Sequence, residues 1–206
     1  MTAELGPLVV GAADPAAITT FWRTVLGHEA FERHLRVEPE REAKVVKNRV
    51  HLDVYVRDVA PLLAIGARVL DDYPPTRATL ADVEGNEFCA FIDRDLDPTP
   101  LGRVFAVCTD SDRPADAAAW WAPLVGAEIG PGPDGVPRYL YGCAGWGDLI
   151  WKFVEVDDER VALNRWRWSV VAETEGWFTD PDGNEVSAEE SGRPAGGAGP
   201  CTSGGS

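Results

Sequence analysis

Short apolar runs and one alternating run predict strands in this chain. PLVVGAA and RVFAVCT are continuous apolar runs, each followed by a helix start, and they are typical of buried strands. VHLDVYV alternates strictly, which puts its aliphatic side chains on one face of a strand and His51, Asp53 and Tyr55 on the other. The alternation predicts that these three side chains share one polar face.

Helices are predicted after these strands. Asp14 is a suitable N-cap, Pro15 suits the first helical position, and apolar residues recur from Ile18 at i, i+3, i+4, i+7 and i+8. Gly27 ends this amphipathic helix. A second helix is predicted over DVAPLLAIGARV, followed by a hairpin made of RATLADV, the turn EGN and EFCAFI. The Gly and Asn of that turn tolerate positive φ, so they indicate a tight turn rather than a ligand loop.

Most of this pattern occurs twice. DPAAITTFWRTVLG aligns without a gap with RPADAAAWWAPLVG, and ADVEGNEF aligns with TDPDGNEV. KNRVHLDVYV has a counterpart in LNRWRWSVVA, where an arginine replaces His51. The second copy has extra strand-like segments, VPRYLYG and DLIWKFVEV, and lacks room for the second helix. The predicted fold class is therefore α+β, a pair of related units with mixed or antiparallel sheets, spanning residues 5–97 and 101–190.

Composition and charge limit the expected cellular location and the expected classes of binding partner. The 19 Lys and Arg against 34 Asp and Glu give a net charge of -15, which repels phosphate backbones and anionic membranes, so nucleic-acid and lipid partners are discounted. The chain has no basic leader and no apolar run of about 20 residues, which predicts a cytoplasmic protein. Cysteines without CxxC spacing favour reduced, mostly buried thiols. Residues 191–206, nearly all Gly, Ser, Pro and Ala, are predicted to be disordered.

The order of these segments resembles a known family. A strand, a helix carrying DP, FW and LG, the strand KNRVHLDV, another helix and the turn in DVEGNEF are similar to the glyoxalase-like branch of the vicinal oxygen chelate superfamily. That superfamily includes glyoxalase I, extradiol dioxygenases and bleomycin resistance proteins. The resemblance implies tandem domains built from βαβββ modules, whose curved sheets surround a cavity for a small molecule. It covers Leu8 to Ile92 well and Val104 to Glu189 more loosely.

The resemblance also implies a metal site in the first copy. Members of this superfamily hold a divalent metal with a His or Gln on a module's first strand and a Glu on its last, positions that correspond here to His51 and Glu87. A neutral imidazole and a carboxylate suit Zn, Ni, Mn or Fe(II). Asp53 would be a third ligand or would orient the imidazole, and Tyr55 would line the same cavity. The alternative is a purely structural polar face, on which His51 and Glu87 form hydrogen bonds with each other or with Asp53.

The second copy departs from this pattern. Arg167 stands in the place of His51 and cannot ligate a cation, although Glu185 keeps the place of Glu87. Arg167 either clamps a substrate carboxylate or forms an internal ion pair with Glu185. The tryptophans crowded into this copy either line a pocket for a planar ligand or belong to the core. His28 and His34 are expected at the surface.

Three functions remain open from the sequence. One is a metal-dependent lyase, isomerase or dioxygenase acting on a substrate with adjacent oxygens, with Glu87 as a catalytic group. Another is a metal-free protein that binds an aromatic or cationic compound, as bleomycin resistance proteins do, because the acidic balance suits a cation. The third is a structural or assembly role, as a monomer or homodimer, in which the two halves of the chain complete each other.

Overall fold

A computed structural model describes residues 3–42, 44–157 and 160–191. The predicted disordered tail, apart from its first residue, lies outside the described residues. The helices of the described part are Pro15–Leu26 (α1), His28–His34 (α2), Ala60–Ala64 (α3) and Pro114–Val125 (α4). Its strands are Glu4–Leu5 (β1), Leu8–Ala12 (β2), Leu35–Pro39 (β3), Val50–Val56 (β4), Arg68–Tyr73 (β5), Arg77–Ala81 (β6), Glu87–Ile92 (β7), Gly102–Ser111 (β8), Glu128–Pro131 (β9), Pro137–Tyr141 (β10), Ile150–Glu155 (β11), Trp166–Ala172 (β12), Gly176–Thr179 (β13) and Glu185–Glu190 (β14). No helix in these ranges is both long and apolar enough to span a membrane.

The strands form two mixed sheets, which confirms the predicted α+β class. The eight-stranded sheet has the order β5-β6-β7-β4-β8-β11-β10-β9. The six-stranded sheet has the order β13-β14-β12-β2-β3, with β1 also paired to β12. Each sheet joins the two copies, through antiparallel pairing of β4 with β8 in one and of β2 with β12 in the other. The independence of residues 5–97 and 101–190 as domains stays a prediction.

A continuous hydrophobic core links the two copies. Trp22 of α1 packs edge-on against Phe88 of its own copy at 5.2 Å and against Trp166 of the other copy at 5.7 Å between ring centroids. Trp121 of α4 packs against Trp151 at 4.7 Å. Most tryptophans are therefore core residues, as one of the two sequence interpretations held. Trp120 and Trp177 are not core residues, because their exposed fractions are 38% and 68%.

In the first copy, the repeated motifs build a buried polar network. Trp22 Nε1 donates to Asp82 Oδ2 at 3.1 Å. Asn86 donates to the same carboxylate from its backbone N and from its side chain, at 2.9 Å each. Asn48 Nδ2 in turn donates to Asn86 Oδ1 at 3.0 Å, so the network ties α1, the β6–β7 turn and the segment before β4 together. Gly85 in this turn has a φ of +87°, as the tight-turn interpretation requires.

The second copy repeats the network bond for bond. Trp121 Nε1 donates to Asp180 Oδ2 at 3.1 Å, and Asn184 donates to Asp180 from its backbone N at 2.8 Å. Asn164 Nδ2 donates to Asn184 Oδ1 at 2.8 Å. Because all of these groups are buried, each satisfies the hydrogen-bonding need of the next. The residues that make the two copies recognisable are thus mostly structural.

Three local features differ from the sequence prediction. The helix expected over DVAPLLAIGARV is confined to α3, because Gly66 follows with a φ of +106° and the chain then continues as β5. Helix α2 was not predicted. His34 at its end is 8% exposed rather than at the surface, since it packs inward beside buried Phe31 of the same helix.

Candidate functional site

The face of the eight-stranded sheet that points away from the core is the candidate site, and we call it the open face. On β4, the aliphatic side chains are at most 1% exposed, while His51, Asp53 and Tyr55 point the other way, as the alternation predicted. Neighbouring strands add further side chains to this face through contacts described below. The open face consists of His51, Asp53, Tyr55, Arg77, Cys89, Phe91, Arg103, Phe105, Cys108 and Lys152.

Asp53 lies at the centre of the open face and is 3% exposed. Lys152 Nζ donates to its Oδ2 atom at 2.8 Å, and Cys108 Sγ donates to the same oxygen at 3.3 Å. His51 Nε2 lies 3.6 Å from Asp53 Oδ1 and 3.7 Å from Cys89 Sγ. The register explains the cluster, because Lys152 on β11 pairs with Cys108 on β8, and Cys108 pairs with His51 on β4.

Burial sets the protonation of this cluster. It lowers the pKa of His51, despite the nearby Asp53 carboxylate, so the imidazole is neutral. Burial, and Asp53 after it, raise the pKa of Cys89 to about 11 and that of Cys108 well above the ordinary value, so both groups are thiols. Burial alone would lower the pKa of Lys152, but the Asp53 carboxylate outweighs it and the pKa is raised. The cluster therefore holds one buried ion pair among neutral groups.

An aromatic group adjoins the ion pair. Tyr55 and Phe105 stack with ring centroids 4.0 Å apart, and Phe91 meets Phe105 edge-on at 5.2 Å. Lys152 Nζ lies 4.6 Å from the centre of the Phe105 ring and 5.6 Å from that of Phe91. The ammonium is thus held by a carboxylate on one side and by ring faces on the other, which is a favourable cation–π arrangement.

Two guanidinium groups flank these rings. Arg103 lies 5.1 Å from the centre of the Tyr55 ring, and Arg77 lies 5.9 Å from that of Phe91. Both arginines are exposed. Among the described residues, no carboxylate forms an ion pair with either of them, so their hydrogen-bond donors remain available to a ligand.

Glu87 forms its hydrogen bonds with residues other than His51. Its Oε1 atom accepts from Lys44 Nζ at 2.7 Å, and its Oε2 atom accepts from the backbone N of Asn48 at 3.1 Å. Both partners belong to the segment that leads into β4. Glu87 therefore holds that segment in place, and Cys89, two residues further along β7, is the side chain that reaches His51.

Arg167 and Glu185 do not form the expected ion pair. Glu185 accepts from Arg160 and from the backbone N of Asn164, which repeats the arrangement of Glu87. Arg167 donates to Glu38 Oε2 at 3.3 Å instead, because β12 and β3 both flank β2 in the six-stranded sheet. The sequence correctly placed Arg167 opposite its flanking tryptophans, but it could not show that β3 would supply the carboxylate.

A cavity of 890 Å³ lies between the two copies, and we call it the inter-repeat groove. Residues 40, 42, 44–49 and 160–165 supply most of its lining. The cations among them already have partners, such as Lys47 Nζ with Asp110 Oδ2 at 2.6 Å and Arg165 Nη2 with Glu84 Oε2 at 2.6 Å. The groove is therefore less prepared for a charged ligand than the open face is.

Comparison with known proteins agrees with this architecture. Residues 7–91 match the family model described as a glyoxalase-like domain. Glyoxalase I from Zea mays superimposes with a TM-score of 0.59 at 13% identity, covering 91% of this chain and 92% of that chain. The chain has the fold of glyoxalase I. A putative dioxygenase from Bacillus subtilis gives a TM-score of 0.58 at 11% identity, covering 93% of this chain and 86% of that chain. No curated protein matches the sequence.

The family resemblance of the sequence implies a divalent metal, so the donor atoms on the open face can be tested for their fit to such an ion. Donor atoms of His51, Asp53 and Cys108 all lie within 4.8 Å of one another, close enough to share one ion. However, the Lys152 ammonium donates to the Asp53 carboxylate at 2.8 Å, so a cation already occupies this carboxylate. A divalent ion that shared these donor atoms would lie close to the Lys152 ammonium, and like charges at such a distance repel each other. The donor set does not fit a divalent metal while Lys152 is present.

The sequence reasoning missed Lys152, Cys89 and Cys108. Lys152 had a signal, since it is a single charge inside the apolar run LIWKFV of a predicted strand. Cys89 also had one, because it follows Glu87 by two residues and so shares its face of the strand. Cys108 had none that the sequence alone could reveal, since its place beside Asp53 depends on the pairing of β4 with β8 across the two copies.

Proposed function

We propose that this chain is a metal-free small-molecule-binding protein whose ligand is a planar organic anion held on the open face. The observation that carries the proposal is the set of aromatic rings on this face, flanked by the unpaired guanidinium groups of Arg77 and Arg103. Ring faces favour a planar ligand, and guanidinium groups bind carboxylates through two parallel hydrogen bonds.

The local charge supports an anionic ligand rather than the cationic one that the net charge of the whole chain suggested. The net charge of -15 acts at long range and is screened by salt, whereas a bound ligand meets the side chains in contact with it. On the open face, Asp53 is already neutralised by Lys152 at 2.8 Å. The excess charge there comes from Arg77 and Arg103, so a cation would be repelled.

Calorimetric titration with aromatic carboxylates tests this proposal. Benzoate and 2-naphthoate are the probes, and their uncharged amides are matched ligands of the same shape. We expect the acids to bind and the amides to bind at least about tenfold more weakly, because charge-assisted bonds to arginine are worth roughly 1.5–3 kcal/mol. Binding of the acids should be unchanged by EDTA.

Two variants separate the open face from the rest of the surface. Arg103→Gln should weaken binding of the acids about tenfold, because it removes one guanidinium partner and keeps a similar stem. Arg57→Gln is the matched control, since Arg57 is exposed and bonds the carbonyl oxygen of Leu96 instead. Equal binding of acids and amides, or an Arg103→Gln variant that binds like Arg57→Gln, would contradict the proposal.

A metal-dependent lyase or dioxygenase is the second candidate function. The observation in its favour is the group formed by His51, Asp53 and Cys108, whose donor atoms lie within 4.8 Å of one another. Elemental analysis of the purified chain after exposure to Mn, Fe(II), Ni and Zn decides between the two candidates. About one retained equivalent per chain would favour the enzyme. Loss of all metal on gel filtration would favour the binding protein.

A further inference from the structure

We infer that Lys152 stands in for a divalent metal ion, and that an acid or an imidazole at position 152 would open a latent metal site with His51 and Asp53. The inference concerns how the chain departs from the metal-dependent members of its fold. It does not depend on which ligand the open face binds.

The positions of the side chains carry the first step. Lys152, Cys108 and His51 lie side by side on three neighbouring strands. Asp53 follows His51 by two residues on β4, so both side chains lie on the same face of the sheet. Lys152 Nζ comes within 2.8 Å of Asp53 Oδ2. A side chain at position 152 therefore reaches the same carboxylate that, with the imidazole of His51, would bind an ion.

Unsatisfied polar atoms carry the second step. Asp53 Oδ1 and His51 Nδ1 are both buried, and neither has a hydrogen-bond partner among the described residues. Buried polar atoms normally find partners, so an unpaired carboxylate oxygen beside an imidazole is unusual for a purely structural cluster. Both atoms are possible metal ligands, and Lys152 does not bond to either of them.

Charge balance carries the third step. The ammonium of Lys152 neutralises Asp53 inside a site from which water is largely excluded, which is the task that a bound cation performs for its ligands. Replacing Lys152 by Glu leaves two carboxylates beside the imidazole of His51. Such a set has the charge and the ligand types that suit Zn²⁺, Ni²⁺ or Co²⁺.

The experiment measures bound metal in Lys152→Glu, Lys152→His and the unmodified chain. Each protein is exposed to excess Zn²⁺ or Co²⁺, freed of loose metal by gel filtration and analysed for its metal content. We expect about one equivalent in each variant and less than about a tenth in the unmodified chain. Zinc should also raise the melting temperature of the variants alone, and bound Co²⁺ should give the visible absorption of a protein-coordinated ion.

Controls separate a real site from a change in net charge. Arg57→Glu alters the charge as much as Lys152→Glu, but Arg57 bonds the carbonyl oxygen of Leu96 and not Asp53, so this variant should retain no metal. Lys152→Arg keeps the positive charge and should also remain free of metal. Adding His51→Ala to Lys152→Glu should remove the bound ion, because one of the ligands is then lost.

Two results would overturn the inference. One is an unmodified chain that keeps about one equivalent of metal, since Lys152 would then not exclude it. The other is absence of bound metal in a folded variant at position 152. Lys152→His carries the test if Lys152→Glu fails to fold, because it adds no second carboxylate beside Asp53. A negative result in the ligand titration would leave this measurement unaffected.

Discussion

Asp82 and Asp180 stabilise the first and the second copy in the same way. Asp82 and Asp180 accept hydrogen bonds from a tryptophan indole, a backbone amide and an asparagine side chain in equivalent places. Burial raises the pKa of Asp82, and its hydrogen bonds act in the opposite direction. These contacts explain why the D-x-x-G-N-E pattern persists in the second copy even though an arginine has replaced His51.

Removing either aspartate should cost a similar amount of stability. Asp82→Ala and Asp180→Ala each leave a buried indole N–H and amide groups without an acceptor, so each should lower the free energy of unfolding by about 3 kcal/mol or more. Urea denaturation followed by tryptophan fluorescence measures this. Asp97→Ala, at an exposed position, is the control and should change stability by less than about 0.5 kcal/mol. A cost below 1 kcal/mol for Asp180 alone would show that the second network is not needed.

His34 should make stability depend on pH. Burial first and Arg33 second lower its pKa to about 4. In the unfolded chain His34 therefore takes up a proton near pH 6.5, whereas in the folded chain it is protonated only near pH 4. Stability should fall by about 2 kcal/mol as the pH drops through this window, less than the full pKa shift implies, because solvent still reaches part of the ring.

Chemical denaturation at pH 7.5, 6, 5 and 4 measures that dependence, with His34→Gln as the test variant. The variant should lose less stability across the window than the unmodified chain does. His28→Gln is the control, since it also removes an imidazole but at a position where the side chain is 75% exposed. Identical profiles for all three proteins would contradict the assignment to His34.

At the residue scale, the sequence located one strand of the site and missed the others. His51, Asp53 and Tyr55 could be placed together because a strand alternates with period two. The single charge of Lys152 in an apolar run marked that residue, but neither Lys152 nor Cys108 could be placed beside Asp53, because no local pattern specifies that β8 pairs with β4 and that β11 pairs with β8.

At the scale of elements, local patterns predicted the long helices and the alternating strands well. α1 begins after Asp14 and ends before Gly27, as its cap residues indicate, because Asp14 Oδ1 accepts from the backbone N of Ala16 and Ala17. The helix predicted after β4 was too long, because a single glycine with positive φ ended it. Short elements such as α2 depend on packing more than on local sequence and were missed for that reason.

Two glycines near β10 provide a test of how tightly the elements dock. Gly145 and Gly147 both have positive φ, +90° and +63°. A Cβ at Gly145 would overlap the backbone of Leu5 in β1, whereas one at Gly147 would meet open space. Gly147→Ala should therefore cost about 1 kcal/mol of backbone strain, and Gly145→Ala should cost at least about 2 kcal/mol more, because β1 must move.

Thermal denaturation of the two glycine variants gives the comparison. Hydrogen exchange at the amide of Leu5 supplies a second readout, because this amide donates to the carbonyl oxygen of Ala144 at 2.8 Å. Its exchange should accelerate in Gly145→Ala and remain slow in Gly147→Ala. Equal melting temperatures would show that the contact with β1 contributes little.

At the scale of the whole molecule, the two copies are interleaved rather than placed side by side. The sequence revealed the repeat and the expected fold, but it could not reveal which copy supplies the neighbour of each strand. The sheets answer that question through the β4–β8 and β2–β12 pairs. The third sequence hypothesis, a structural role in which the halves complete each other within one chain, stays a prediction.

Cutting the link between the halves should leave them associated. A protease site inserted in the exposed residues 97–100, between β7 and β8, would break the chain without breaking a strand pair. We expect both fragments to elute together on gel filtration and to separate in denaturant, because each sheet and the core are shared. Fragments that separate under native conditions would contradict the idea that the halves depend on each other.

The pairing of β2 with β12 also has a consequence for synthesis on the ribosome. Val10 lies opposite Trp166, so one of the first strands to be made must wait for a partner that is translated about 156 residues later. Until then β2 has only β3 as a neighbour, and its other edge is open to pairing with another nascent chain. The eight-stranded sheet can close first, and the two ends of the chain are joined last.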